Sequence, residues 1–193
     1  MENKKKENRL KILEAASKLF YYRRFHEVRM EEIAEAAGMG KGTIYEYFPG
    51  KEDLFRELFK YSTEKYIHLA REASRGQENS RGQLLALLLN HIDFITEYRH
   101  LEYYVFNLGR INFQEMQPWF KKKKNQFLAL VEECLREGLR RGEIRELNIR
   151  LAATVFTGSF LAALNPFLID VEKDGKKHAA GVLDLFFQGI KQP

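Results

Sequence analysis

The chain has 193 residues, of which 45% are hydrophobic and 13% aromatic, enough apolar material for a buried core and too much for a disordered protein. Its net charge of +5 indicates a mildly basic protein. A single cysteine, Cys134, excludes an intrachain disulfide, and the N-terminus lacks the apolar stretch of a signal peptide. We therefore expect a folded cytoplasmic protein in which Cys134 is a small buried side chain rather than a redox sensor.

The first 24 residues are the most basic part of the chain, with eight Lys or Arg against three Glu. The first nine of them, MENKKKENR, are predicted to form a mobile basic arm able to reach DNA. The alternative is a disordered terminus that only adds solubility.

Residues 30–48, MEEIAEAAGMGKGTIYEYF, predict a helix, a three-residue turn and a second helix. Ile33 and Ala34 fall on the apolar stripe of the first helix. Gly38 then supplies the left-handed conformation that ends a helix and turns the chain. Ile44 would anchor the second helix across the small side chain of Ala34. This pattern is typical of a helix-turn-helix, whose second helix enters the major groove of DNA.

The outward face of the second helix is predicted to read DNA, although similar helix pairs occur in proteins that do not bind it. Gly42 lets the backbone approach closely, and the hydroxyl and methyl groups of Thr43 can meet a base edge. Tyrosines and lysines nearby suit phosphate contacts, whereas the carboxylate of Glu46 repels phosphate and can accept from a cytosine amino group. The predicted DNA-binding residues are Arg29, Lys41, Gly42, Thr43, Tyr45, Glu46, Tyr47 and Lys51.

Three spaced motifs within residues 12–59, ILEAASKLF, IAEAAGMGKGTIYEYF and KEDLF, resemble the N-terminal domain of the TetR family of transcriptional regulators. The resemblance implies an all-α protein, with a three-helix helix-turn-helix domain (residues 1–55) joined to a helical ligand-binding and dimerisation domain (residues 56–193). It also implies a regulator, usually a repressor, that leaves its operator when a small molecule binds. The positions that usually touch DNA in the family match Lys41, Thr43, Tyr45, Tyr47 and Lys51.

The chain departs from the family pattern just before the second helix of the domain. Val28 and Arg29 stand where a Thr/Ser pair is common, so a hydroxyl N-cap worth about 1 kcal/mol is missing. We expect this helix to be either less stable or capped by another group, with Arg29 available for a phosphate. Gly40 likewise replaces a frequent serine at the cap of the recognition helix, at a cost of a few tenths of a kcal/mol.

The remaining chain predicts helices throughout, because apolar residues recur at helical spacing and strand patterns are absent from the sequence. Helices are expected over residues 51–72, 83–98, 119–141, 149–168 and 176–190, with breaks over residues 74–81, 109–118, 142–148 and 170–175. The first of these helices should connect the two domains and act as the lever by which a ligand moves the recognition helix.

Residues 151–169 form a stretch of 19 residues without a charge. Its length would span a membrane, but its Thr, Ser, Asn and Pro residues make it only moderately apolar, so a helix buried on nearly all sides is the better interpretation. Together with the last helix, which carries Leu185 and Phe186, this stretch resembles the two C-terminal helices that form a four-helix bundle in TetR-family homodimers. We therefore expect a homodimer that pairs through its two C-terminal helices.

Residues 94–127 are the most aromatic and most interrupted part of the chain, and they are the predicted effector site. They predict a hydrophobic or aromatic effector, for example a lipid-like acyl chain or a drug, with core packing as the alternative for many of these aromatic residues. The predicted ligand-binding residues are Phe94, Tyr98, Tyr103, Phe106, Arg110, Phe113, Trp119 and Phe127, with further polar contacts from His68, Asn90, His91 and Asn107. Lysines 121–124 are interpreted as a solvated helical turn, or alternatively as contacts for an anionic ligand group.

Two other classes of protein are the alternatives to a ligand-controlled regulator. An enzyme is not expected, because the five histidines are scattered and the sequence has no metal-binding spacing, glycine-rich phosphate loop or nucleophile motif. No metal or cofactor is predicted. The alternative function is a DNA-binding architectural or division-linked protein of the same fold without ligand control, which a solid C-terminal core would distinguish.

Overall fold

The computed structural model describes residues 2–98, 113–163 and 170–190, and all regular structure within these ranges is helical. Eight α-helices and one short 3-10 turn follow each other in the described residues. They are α1 (Glu2–Tyr22), the 3-10 turn (Phe25–Glu27), α2 (Met30–Ala36), α3 (Lys41–Tyr47), α4 (Lys51–Arg75), α5 (Ser80–Glu97), α6 (Phe113–Arg140), α7 (Ile149–Ala163) and α8 (Val171–Ile190). The predicted all-α fold is confirmed.

The chain divides into two compact units. The first comprises Met1–Glu64 with Glu97–Gln114, and the second comprises Lys65–Thr96 with Glu115–Pro193. The division therefore falls inside α4, which begins in the first unit and continues into the second. The domain boundary predicted between residues 55 and 56 lies in the same helix.

The core of the first unit supports the helix-turn-helix. In α1, Ile12, Ala16 and Phe20 lie one turn apart on a single face and are almost wholly buried. The ring of Phe20 contacts Phe25 and Phe55, with centroids 5.9 and 5.7 Å away. These contacts attach α1 both to the turn before α2 and to the first turns of α4.

The basic N-terminal segment is helical, so the predictions of a mobile arm and of a disordered terminus are both wrong. α1 begins at Glu2 and includes the three consecutive lysines. Glu, Lys and Arg favour helices, and an ion pair of 2.7 Å joins Glu7 to Lys11 one turn apart. Asn8 and Arg9 also form hydrogen bonds with α3, which attach this end of α1 to the domain.

α2 ends at the predicted left-handed glycine. Gly38 has a φ of 69°, and its N–H donates to the carbonyl of Glu35 at 2.9 Å. The N–H of Met39 donates to the carbonyl of Ala34 at 2.8 Å. This pair of bonds is a Schellman motif, which satisfies carbonyls at the helix end while the chain turns. The next helix, α3, begins at Lys41.

The start of α2 is capped by a carboxylate instead of a hydroxyl. The carboxylate of Glu32 accepts a hydrogen bond of 2.7 Å from the N–H of Arg29 and forms an ion pair of 2.6 Å with Arg23. The hydrogen bond from Arg23 is the main reason that the pKa of Glu32 is lowered, so the carboxylate stays charged at neutral pH. The second sequence expectation, capping by another group, is therefore confirmed.

Two predicted breaks in the C-terminal half are wrong where the structure describes them, and residues 109–112 of the first break lie outside the described residues. α6 already begins at Phe113 and runs through Pro118, which removes only one backbone hydrogen bond from the second turn of the helix, and Met116 in the preceding turn is buried. α8 begins at Val171 rather than at residue 176. The side chain of Asp170 accepts a hydrogen bond of 3.2 Å from the backbone three residues on, and this cap starts the helix earlier than the glycine pattern suggests.

The uncharged stretch contributes to α7 as far as Ala163, while residues 164–169 lie outside the described residues. Ala153 and Phe156 are buried, but Leu151 and Val155 are exposed. The prediction of a helix buried on nearly all sides is therefore wrong for the single chain. Within the described ranges, no helix is both long enough and apolar enough to cross a membrane.

Replacing Gly38 by alanine should lower the free energy of unfolding by about 1–2 kcal/mol, the cost of a left-handed backbone for a residue with a Cβ. Gly42 is a matched control, since no atom lies within 4 Å of a Cβ built at either glycine and only Gly38 has a positive φ. Gly42→Ala should leave stability unchanged or raise it by up to about 1 kcal/mol. Urea unfolding followed by circular dichroism measures both; equal losses would contradict the role of the left-handed turn.

Candidate DNA-binding and effector sites

α3 buries one face in the first unit and presents the other to solvent. Ile44 and Phe48 are 0 and 1% exposed and anchor the helix. The remaining predicted DNA-binding residues of α3 lie away from this buried side, with exposed Lys41, Gly42, Tyr45 and Glu46 and half-buried Thr43 and Tyr47. The helix therefore leaves accessible the face on which the sequence predicts the DNA contacts.

Lys41 forms an ion pair at the start of α3. Its ammonium lies 2.8 Å from the carboxylate of Glu31 on α2, and both side chains are solvent-exposed. The hydrogen bond between them raises the pKa of Lys41 and lowers the pKa of Glu31, so both groups are charged at neutral pH. A phosphate that approaches Lys41 therefore also meets a neighbouring negative charge.

A shallow groove beside the start of α3 carries nearly balanced charge. Its lining has four carboxylates and three cations, from Arg23, Glu27, Arg29, Glu31, Glu32, Glu35 and Lys41. The exposed side chain of Arg29 lies in this groove, as its predicted phosphate role requires. Because the charges almost cancel, this side of α3 supplies little general attraction to DNA.

Lys51, at the start of α4, directs its ammonium into the first unit. The ammonium donates hydrogen bonds of 2.8 Å to the carbonyls of Phe25 and Val28 and lies 4.3 Å from the centre of the Phe25 ring. Partial burial lowers the pKa of Lys51. Two of its three N–H donors thus hold the turn before α2, and a phosphate contact by Lys51 stays a prediction.

Two residues of α1 that the sequence did not single out contact Tyr47. The amide of Asn8 donates to the Tyr47 hydroxyl at 3.0 Å, and the guanidinium of Arg9 donates to the Tyr47 carbonyl at 3.2 Å. Nothing within MENKKKENR distinguishes these two side chains from the solvated lysines beside them. Their role depends on the return of α3 to this end of α1, which sequence spacing does not reveal.

An aromatic cluster in the second unit surrounds Tyr66 on α4. The ring centroid of Tyr66 lies 4.8 Å from Phe94, 5.4 Å from Phe127 and 5.8 Å from His91. Burial lowers the pKa of His91 to about 4, so its imidazole is neutral at pH 7. Asn90 donates to the carbonyl of Tyr66 at 3.2 Å. The cluster joins α4, α5 and α6, and it was only partly foreseen because the prediction began at residue 94.

The structure thus brings together two of the eight predicted ligand-binding residues, Phe94 and Phe127. Tyr98 is buried, and Trp119 is half-buried with its ring edge-on to Phe120 at 5.4 Å. Among the polar candidates, Asn90 and His91 adjoin the cluster and His68 is exposed. The predicted contacts outside the described residues or side chains are Tyr103, Phe106, Asn107, Arg110 and Phe113.

α7 and α8 carry an apolar surface that the single chain leaves exposed. Leu151 and Val155, one turn apart on α7, are 60 and 50% exposed, and Leu185 on α8 is 74% exposed. The two helices contact each other through Phe156 and Phe186, whose ring centroids are 5.0 Å apart. Exposed aliphatic side chains on two adjacent helices are typical of a surface that another protein surface covers.

A helical domain with an exposed recognition helix, followed by a larger helical unit, defines a helix-turn-helix DNA-binding regulator. Comparison with known proteins agrees, since residues 12–58 match the family model of bacterial regulatory proteins, tetR family. Residues 12–58 therefore carry the N-terminal domain typical of TetR-family transcriptional regulators.

Similarity to known regulators extends over nearly the whole chain. A fatty acid metabolism regulator protein of Bacillus subtilis is 25% identical over 187 residues, covering 94% of each chain. The structure of the regulator FadR from Bacillus subtilis in complex with stearoyl-CoA has a TM-score of 0.71 at 26% identity, covering 94% of this chain and 98% of that chain. A transcriptional regulator from Cytophaga hutchinsonii has the same fold, with a TM-score of 0.75 at 20% identity over 94% and 97% of the two chains.

Replacing Glu31 by glutamine should tighten DNA binding about two- to fivefold, because the substitution releases Lys41 from a partly exposed ion pair and removes a carboxylate near phosphate. In a Lys41→Gln background the same substitution should gain less. Glu35→Gln is the charge-matched control, since Glu35 is exposed on α2 and forms no ion pair in the described residues. Fluorescence anisotropy at fixed salt measures the wild type, the three single variants and the double variant. An equal gain in affinity from Glu31→Gln and Glu35→Gln would contradict the role of the ion pair.

Proposed function

We propose that the protein is a transcriptional repressor that binds a palindromic operator as a homodimer and releases it when a hydrophobic effector binds. A lipid-like acyl chain, as in a long-chain acyl-CoA, is the effector class that we favour. Such a regulator would act in the cytoplasm, where its operator lies. The observation that carries the proposal is the solvent-exposed face of α3, which lies opposite the buried side chains of Ile44 and Phe48.

The geometry of α3 supports a division of the DNA contacts. Gly42 and Thr43 lie near the N-terminal end of the helix, the part that meets base edges when a recognition helix enters the major groove. No atom lies within 4 Å of a Cβ built at Gly42, so the protein itself does not require a glycine there. A close approach of DNA explains its presence. Exposed Lys41 and Tyr45 are assigned to phosphates, and Glu46 to selection among bases.

The aromatic cluster around Tyr66 supports the effector proposal. It is apolar, it joins three helices, and Tyr66 and Phe94 are only partly buried, so a ligand chain can contact their rings. The tyrosine lies on α4, which continues from the first unit, so a ligand at this cluster would bear on the same helix that starts beside α3. The related regulator with bound stearoyl-CoA makes an acyl chain the first effector class to test.

The exposed faces of α7 and α8 support the homodimer. A two-fold axis would place the same aliphatic surface of each copy against the other, and it would present two recognition helices to the two halves of a palindrome. Leu185 on α8 is the most exposed large aliphatic residue in the described ranges. The alternative function, DNA binding without ligand control, needs the same dimer but a core that no ligand enters.

Stearoyl-CoA should raise the melting temperature of the protein, whereas coenzyme A alone should raise it much less, because the acyl chain supplies the apolar contact. At a ligand concentration of 100 times Kd, the expected stabilisation is about 2.7 kcal/mol. Phe94→Ala should reduce the shift, since Phe94 is half-buried and can be truncated without opening the core. Leu69→Ala, at an exposed position on α4, is the control. Stabilisation by hydrophilic metabolites only would overturn the proposed effector class.

Leu185→Arg should convert the dimer to a monomer, because a charge replaces an apolar side chain at the centre of the proposed interface. Leu10→Arg is the matched control, since it places the same charge on a 44% exposed leucine of the first unit. Light scattering at micromolar concentration gives the mass of each protein. A monomeric wild type, or an unchanged dimer of Leu185→Arg, would contradict the proposed interface.

A further inference from the structure

One guanidinium joins three helices of the first unit. Arg9 on α1 donates a hydrogen bond of 3.2 Å to the carbonyl of Tyr47 at the end of α3. It forms an ion pair of 3.1 Å with the carboxylate of Glu57 on α4, and its central carbon lies 4.5 Å from the centre of the Phe48 ring. The planar fork of arginine can satisfy all three contacts at once, which a lysine ammonium cannot do with the same geometry.

The contact lies at the C-terminal end of α3. The last carbonyls of a helix have no partner within the helix, and a cation beside them is stabilised by the helix dipole. Arg9 supplies both a donor and a charge to the Tyr47 carbonyl. Asn8, the preceding residue, donates to the Tyr47 hydroxyl at 3.0 Å, so two consecutive residues of α1 bind the backbone carbonyl and the side-chain hydroxyl of this tyrosine.

Glu57 fixes the other side of the guanidinium. It is only about one-third exposed, and it also accepts a hydrogen bond of 3.0 Å from Lys60 on the next turn of α4. Burial opposes the charge of Glu57, but the hydrogen bonds from Lys60 and Arg9 outweigh it and lower the pKa of the carboxyl. The pair with Arg9 is therefore ionised at neutral pH.

We propose that Arg9 is a positioning residue for DNA recognition, which ties the C-terminal end of the recognition helix to the first turns of α4 through Glu57. It acts on DNA affinity through the orientation of α3 and not by neutralising a phosphate. The inference rests on the proposed DNA-binding function. A displacement of α4 would break the ion pair between Arg9 and Glu57 and release the C-terminal end of α3. The contact therefore makes DNA affinity depend on the position of α4.

Glu57→Gln separates positioning from simple electrostatics, because the two effects have opposite signs. Loss of a carboxylate near DNA should tighten binding if only charge matters. Loss of the Arg9 pair should instead weaken binding about two- to fivefold, the range expected for a partly exposed ion pair. Glu52→Gln is the matched control, since Glu52 is an exposed carboxylate on the first turn of the same helix. It should leave binding unchanged or tighten it.

The salt dependence of binding by Arg9→Gln gives an independent readout. A direct phosphate contact would reduce the slope of log K against log salt by about one. Positioning predicts weaker binding with the slope unchanged, and partial rescue by Arg9→Lys, which keeps the charge and one donor. In the double variant, the losses from Arg9→Gln and Glu57→Gln should not add, because both break the same contact.

Amide hydrogen exchange measured without DNA tests the Arg9 contact separately from the proposed DNA-binding function. Glu57→Gln should speed exchange of the last amides of α3 relative to wild type and to Glu52→Gln. If the wild type binds no specific DNA but this exchange effect is present, the proposed function fails and the contact stands. If Glu57→Gln binds DNA as tightly as wild type or tighter, or leaves the exchange of α3 unchanged, the positioning role is overturned.

Discussion

The recognition helix has seven residues, and its existence and orientation depend on two buried apolar side chains, Ile44 within the helix and Phe48 directly after it. A helix of this length is not stable alone in water, because nucleation costs more than so few hydrogen bonds return. Burial of Ile44 and Phe48, each worth roughly 2 kcal/mol by area, holds α3 on the domain. The left-handed turn at Gly38 sets the direction from which the helix arrives. Every group on the outer face of α3 is positioned by these contacts, and the polar contacts at its ends only refine them.

Much of the positive charge of the first unit is used inside the protein. Lys51 holds the turn before α2, Arg23 pairs with the carboxylate that caps α2, and Arg9 holds the end of α3. Lys41 forms an ion pair with a carboxylate on α2. Few cations near α3 are therefore available for phosphates alone, so general attraction to DNA is modest and discrimination depends more on base edges. This balance is consistent with the proposed release of an operator after a small displacement of α3.

Sequence patterns predicted what depends on local spacing and on motifs that a family shares. The apolar positions Ile33 and Ile44, with the glycine between their helices, were enough to predict the helix-turn-helix. The motifs around them indicated the resemblance to the TetR family. Contacts between distant segments were not predictable in this way. The lysine-rich terminus resembles a solvated arm until Asn8 and Arg9 are seen to meet α3. Lys51 matches a DNA-contact position of the family pattern, but two backbone carbonyls accept hydrogen bonds from its ammonium and set the direction of its side chain. Tyr66 lies 28 residues before Phe94 in the chain, yet the two rings touch.

Selection from a randomised duplex library, with wild type and Gly42→Leu in parallel, tests the central claim most directly. The account predicts that wild type enriches a palindrome with half-sites about one helical turn apart. Gly42→Leu should keep the wild-type unfolding curve, since the protein leaves space at this position, and should lose the motif because the leucine blocks close approach to the groove. Enrichment of the same motif by both proteins, or of no motif by wild type, would contradict the assignment of α3 as the reading helix.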